Sequence, residues 1–124
     1  MTTLPSGHKL PFALARRVGD ILYLSGQMGT LPGGIDLAPG GMEAQARQTM
    51  NNIRSVVEAH GLTLRDVFKC TVMLADMTQW AEFNQVYLEF FDPDHLPTRS
   101  AFGASGLALG GLVEVEAWAA YPSA

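Results

Sequence analysis

The stretch Leu112–Tyr121 constrains the fold most, because its side chains alternate: Val113, Val115, Ala117 and Ala119 fall on one parity, and Glu114, Glu116 and Trp118 on the other. This is a strand with one buried face. Two carboxylates and a tryptophan on the remaining face suit a site or a subunit surface better than a core. The apolar face needs a covering layer, and the chain supplies two helices for it. From Glu43 to His60 apolar residues recur at helical period (Met42, Ala46, Met50, Ile53, Val57), with Arg47, Asn51, Arg54 and Glu58 elsewhere on the wheel. Gly61 follows as the C′ residue. Thr78 offers an N-cap for a second helix, whose stripe Trp80, Phe83, Tyr87 and Phe90 is expected in the core and which stops at Asp92-Pro93.

The remaining segments fit around this frame. Asp66–Leu74 alternates so that Phe68, Cys70, Val72 and Leu74 share one face, while Val67, Lys69, Thr71 and Met73 share the other. Phe12–Val18 and Ile21–Ser25 read as a hairpin closed by Gly19-Asp20, and Thr98–Phe102 as a further strand. Residues 1–10 read as a flexible lead-in, Gly26–Gly41 as a long loop of the kind that is often functional, and Gly103–Gly111 as a glycine-rich connection. The order β-β-loop-α-β-α-β-β predicts an α+β fold, a mixed sheet with two helices packed on one face. The opposite face, with Lys69, Thr71 and Glu116, is then exposed or buried around an oligomer axis. The 124 residues are one domain's length, 1–124, able to form a core without a disulfide or metal.

Charge and cysteine content narrow the function classes. The net charge is −4, and the 8 Lys and Arg residues form no stripe that would neutralise a phosphate backbone, so no nucleic-acid partner is expected. Cys70 is the only cysteine and lies in an apolar strand, as a buried thiol in a reducing compartment would. His8, His60 and His95 are too far apart for a local metal motif, and the glycines of the long loop match no phosphate-binding fingerprint. No apolar run is long enough to span a membrane, and Leu10–Ala15, interrupted by Pro11, is too short for a signal peptide. A soluble cytoplasmic protein is expected.

Arg99 is the one basic residue after Lys69, and it heads the strand that precedes the two carboxylates. Two readings are open. Arg99 and Glu114 form a cross-strand ion pair at a sheet edge, worth on the order of 0–1 kcal/mol if exposed. Alternatively the guanidinium binds a small organic anion and a carboxylate beside it acts as a general base.

Ser25-Gly26-Gln27 after a short strand, Gln45-x-x-Gln48 with Asn51-Asn52-Ile53 in the first helix, Asn84-x-x-Tyr87-x-x-Phe90-Phe91 in the second, and Pro97-Thr98-Arg99-Ser100 followed by Val113-Glu114-Val115-Glu116-Ala117 together resemble the RidA/YjgF family. The resemblance runs from about Pro11 to Ala120, and its last segment is the most specific. It implies a chorismate-mutase-like α+β subunit in a homotrimer with clefts between subunits, and it favours the anion-pocket reading. It implies hydrolysis of 2-imino acids, the tautomers of enamines released by pyridoxal-phosphate enzymes, to 2-oxo acids and ammonia, with no cofactor and no metal. Arg99 would hold the substrate carboxylate and Glu114 would orient or deprotonate water. Ser25, Gly26 and Ala101 would supply further contacts, with Asn84 at the cleft edge.

The chain also departs from the family pattern. Where the imine-deaminase branch shows Pro-Tyr-x-Gln, this chain has Pro11-Phe12-Ala13-Leu14, and the cysteine two residues after the arginine is Ala101. By the resemblance, Phe12 would line the substrate site without a hydroxyl. Such a wall is compatible with two alternatives: a bulkier, less polar substrate, or a non-enzymatic carboxylate-binding or regulatory trimer.

Overall fold

The structure is a computed structural model describing residues 1–123. Eight strands and two helices follow in the order β1 (Thr2–Thr3), β2 (Lys9–Leu10), β3 (Ala15–Val18), β4 (Ile21–Leu24), β5 (Gln27–Met28), α1 (Gly41–Ala59), β6 (Val67–Leu74), α2 (Trp80–Leu88), β7 (Thr98–Gly103) and β8 (Val113–Ala120). The main sheet has the order β3-β4-β8-β6-β7, with β5 also paired to β8. It is antiparallel except for β6 and β7, so the expected mixed sheet is present. Both helices contribute to one cluster of buried side chains: Met42, Ala46, Met50, Ile53 and Val57 from α1, and Phe83, Val86 and Tyr87 from α2. They meet Leu22, Leu24, Cys70, Val72, Leu74, Val113, Val115, Ala117 and Ala119 from the sheet.

Local chemistry explains the element ends. The β3-β4 turn is Gly19-Asp20, because Val18 pairs with Ile21, and Gly19 takes the positive φ of 61° that the tight turn needs. Helix α1 ends as its glycine signals: Gly61 at φ 79° lets its amide donate to the Glu58 carbonyl and the Leu62 amide to the Val57 carbonyl. Asp76, not Thr78, caps the turn leading into α2, its carboxylate accepting from the Thr78 amide and hydroxyl at 2.9 and 2.7 Å.

Five further expectations are corrected. Residues 1–10 form a small hairpin, β1 with β2, and the strand expected from Phe12 begins only at Ala15. The long loop contains β5, and a Thr30–Leu37 bridge closes its next portion. Phe68 does not share the core face of Cys70, because the β6-β8 register shifts between Val67 and Lys69. The bulge leaves Phe68 exposed while Val67 turns inward. In the aromatic stripe Phe83 and Tyr87 are buried, but Trp80, at the start of the helix, is 44% exposed.

Candidate functional site

Glu114 occupies the polar parity of β8, opposite Met28 of β5 and Met73 of β6, with Val113 and Val115 directed into the core. Between the pairs Tyr23–Trp118 and Gln27–Val115, the β4-β5 segment carries three residues against two on β8. This irregularity, at Leu24–Gly26, displaces the backbone. It brings Gly26 against the Glu114 side chain so closely that a Cβ on Gly26 would overlap the carboxylate. Half-burial raises the Glu114 carboxyl above its ordinary pKa, and the neighbouring Glu116 raises it further. The Ser25 hydroxyl donates to the Ala13 carbonyl at 2.6 Å and the Ser25 amide to the Leu14 carbonyl at 2.9 Å. Ser25 thus ties down the segment that carries Phe12.

Glu114, Gly26 and Phe12 line a groove of about 830 Å³ beside the edge of β5, together with Leu14, Met28 and Leu109. Two of the side-chain amides singled out in the sequence build its frame. The Asn52 side-chain amide donates to the Met28 and Thr30 carbonyls at 2.8 and 2.9 Å, and the Gln45 side-chain oxygen Oε1 accepts from the Leu112 amide at 2.9 Å. One holds the loop after β5; the other fixes the entry to β8.

Arg99 lies elsewhere. It pairs with Cys70 in the parallel β6-β7 ladder, and Cys70 faces the helices. Its guanidinium stands 4.8 Å from the Tyr87 ring centroid, 5.9 Å from Phe83 and 6.0 Å from Trp80. Arg17, Arg47, Arg54 and Arg65 each reach a carbonyl or side-chain oxygen. Among the described residues Arg99 reaches none and has no carboxylate within ion-pair distance. A half-buried cation on aromatic faces with its in-plane donors free is suited to grip an anion. Ala101 follows on the same face of β7, level with Val72. Asn84, one turn after Trp80 on α2, has a buried side-chain oxygen without a partner, and the Tyr87 hydroxyl is buried with no nitrogen or oxygen partner. Burial pushes the Cys70 thiol up to about 11, against the opposing influence of Tyr87 and Arg99.

The predicted residues therefore form two groups: Phe12, Ser25, Gly26 and Glu114 around the groove, and Asn84, Arg99 and Ala101 under α2. They are not brought together within one chain. Strand β6 lies between β7 and β8, which rules out a cross-strand Arg99–Glu114 ion pair. The spacing that builds the aromatic platform under Arg99 also makes a core, so the sequence alone does not mark it as part of a candidate site. The nearest hint of it is an arginine with no carboxylate at pairing distance in sequence. Leu109, in the groove wall, carried no signal at all. Among the described residues no cluster of His, Cys, Asp and Glu is placed to hold a metal ion, and no helix is long and apolar enough to cross a membrane.

The model of a family described as Endoribonuclease L-PSP matches residues 7–121. The chain belongs to the RidA/YjgF family. It is 38% identical over 107 residues to the 2-iminobutanoate/2-iminopropanoate deaminase of Bos taurus, spanning 86% of this chain and 77% of that one. Among solved structures, RidA from an Antarctic Psychrobacter superposes with a TM-score of 0.83 at 35% identity, covering 89% of this chain and 88% of the other. Escherichia coli TdcF with bound serine superposes with a TM-score of 0.85 at 29% identity, covering 98% and 100%. The α+β fold is thus that of its RidA/YjgF relatives.

Proposed function

We propose that this RidA/YjgF member hydrolyses 2-imino acids to 2-oxo acids and ammonia, in sites that take Glu114 from one protomer and Arg99 from a neighbour of a homotrimer. The observation that carries the proposal is the unpaired Arg99 guanidinium on its aromatic platform, a receptor for a small carboxylate. The name of the bovine relative and the serine held by TdcF agree with that ligand class.

In the proposed reaction Arg99 binds the substrate carboxylate through two parallel hydrogen bonds and so fixes the adjacent imine carbon. Glu114 accepts a proton from water as its oxygen attacks that carbon. That proton passes to the nitrogen and gives a tetrahedral carbinolamine; Glu114 then takes the hydroxyl proton and relays it to the nitrogen, the C–N bond breaks, and ammonia leaves as the carbonyl forms. The raised pKa of Glu114 makes it a better proton acceptor near neutrality. No electrons are exchanged, so the residues need supply only position, charge and a proton relay.

The sheet face away from the helices supports assembly. It exposes Phe68 and Phe102, 39% and 47% accessible, and stacks Lys69 at 4.0 Å over Trp118, an amphipathic surface suited to subunit contact. The net charge of −4 opposes a polyanionic substrate.

The test is to generate 2-aminoacrylate or 2-iminobutanoate in situ and trap what remains with semicarbazide. The protein is expected to compete with trapping, and Arg99→Ala to abolish the competition. No acceleration over buffer, or an unchanged rate in Arg99→Ala, overturns the proposal.

A further inference from the structure

We infer that the groove beside β5 selects 2-imino acids with a large apolar side chain, of leucine or phenylalanine size, over the alanine-derived imine. The inference rests on the proposed imine hydrolysis and concerns the part of the substrate that neither Arg99 nor Glu114 touches.

Three observations carry it. The groove that reaches Glu114 is open to one side, has a volume of about 830 Å³ in the single protomer, and includes Leu10, Phe12, Leu14, Leu31, Ile35 and Leu109 in its walls. A volume of that order accommodates a drug-sized molecule and greatly exceeds a three- or four-carbon imino acid. A methyl side chain would leave those walls wet, whereas an isobutyl or benzyl group would cover them. The second observation is charge. Apart from Glu114, the charged walls are Lys9 and Arg54, with His8 beside them, and Arg54 is turned to the Asn51 side-chain oxygen at 3.4 Å and the Phe90 ring at 5.0 Å. Of the uncharged polar walls, Gln48 donates to the Asn52 side-chain oxygen and Asn52 to the Met28 and Thr30 carbonyls, so these groups are turned to the chain itself, and only Gln27, Thr30, Asn51 and Ser55 remain beside the apolar walls.

The third observation is strain. Leu109 is the only non-glycine residue with positive φ among those described, at φ 61° and ψ 11°. This conformation costs leucine roughly 1–2 kcal/mol. The side chain is 50% exposed, so packing within the chain recovers little of that cost. Nevertheless the turn is firmly held: the Gly111 amide donates to the Ala108 carbonyl at 3.0 Å, and Gln45 holds Leu112. Backbone strain of this kind, imposed by surrounding bonds and uncompensated by burial, marks a residue placed for a ligand. It puts an apolar side chain in the wall of the groove that Phe12 also lines.

The experiment compares kcat/KM for imines generated by amino acid oxidases from alanine, leucine, phenylalanine and glutamate, with semicarbazide trapping. The imine carbon is planar, so either enantiomer of the amino acid gives the same substrate. The leucine- and phenylalanine-derived imines are expected to exceed the alanine-derived one by about tenfold or more. Leu109→Ala is expected to reduce that ratio by about threefold or more. Turnover of the alanine-derived or glutamate-derived imine with a ratio near or below one overturns the inference and leaves imine hydrolysis standing. Turnover of none of the four overturns both. If Leu109→Ala leaves the ratio intact but weakens assembly by light scattering, a neighbouring copy occupies the groove and the inference is overturned.

Discussion

Arg99 and Glu114 project from opposite faces of one sheet, with β6 between their strands: Arg99 is level with Cys70 on the helix side, and Glu114 is level with Met73 on the open side. They are offset by three residues along β6 and two strand spacings across it, roughly 10 Å in each direction. A site that uses both must draw on two copies of the chain. Arg99→Ala and Glu114→Gln, each inactive alone, are therefore expected to complement when refolded together. In a random one-to-one mixture of trimers about a quarter of the sites regain both groups. Imine turnover of the mixture near a quarter of wild type is the expected reading, and the sum of two inactive backgrounds is the contrary one.

Gly26 makes room for Glu114, since a Cβ there would overlap the carboxylate. Its φ is not among the positive values, so alanine suits its backbone. The methyl group instead pushes the carboxylate aside. Gly26→Ala is expected to keep its circular dichroism spectrum and lose on the order of 10²-fold in kcat/KM, the usual consequence of misplacing a reacting group by about 1 Å. Wild-type kinetics in this variant would place the proton acceptor elsewhere.

Much of the fold was legible because burial on one face imposes a period: the alternation in β8 and the 3.6-residue stripe in α1 fall where the structure has them. The bulges were not. One at Phe68 and one at Leu24–Gly26 each shift parity by a residue, and nothing in side-chain alternation announces an extra residue before pairing partners are known. The N-terminal hairpin was hidden for a related reason, its two-residue strands being too short to show a period. For the candidate site, the family motif singles out Arg99, Glu114 and Gly26 but says nothing of their separation onto two faces of the sheet. That separation depends on which strand enters the sheet between them, a nonlocal fact. Leu109 was illegible because a left-handed leucine is imposed by hydrogen bonds from distant residues.

The pH dependence follows from Glu114. Burial and then Glu116 raise its pKa, so the folded chain holds this proton to higher pH than the unfolded chain does. Its contribution to stability therefore falls as pH rises through the interval between the unfolded and folded values. Glu116→Gln removes the second cause and is expected to move the acid limb of the kcat/KM profile to lower pH. Glu114→Gln is expected to raise the melting temperature at pH 7, with the gain vanishing near pH 3, about where a carboxyl is protonated in both states. An acid limb unmoved by Glu116→Gln would show that another group titrates.

Tyr87 supports Arg99 with its ring and leaves its hydroxyl buried with no nitrogen or oxygen partner, beside the Cys70 sulfur, which is only a weak acceptor, and the Arg99 guanidinium. The two parts of the side chain have separate energetic consequences. A buried hydroxyl that has given up water for only a weak partner disfavours folding, while the ring fills the core and faces the guanidinium. Tyr87→Phe keeps the ring and removes the hydroxyl. It is expected to leave stability unchanged or raise it by up to about 1 kcal/mol in urea denaturation, with KM for the imine within about twofold of wild type because the cationic platform is intact. A loss above about 1 kcal/mol would mean that the hydroxyl has a partner in the assembled protein. A KM rise without a stability change would mean that the partner is the substrate itself.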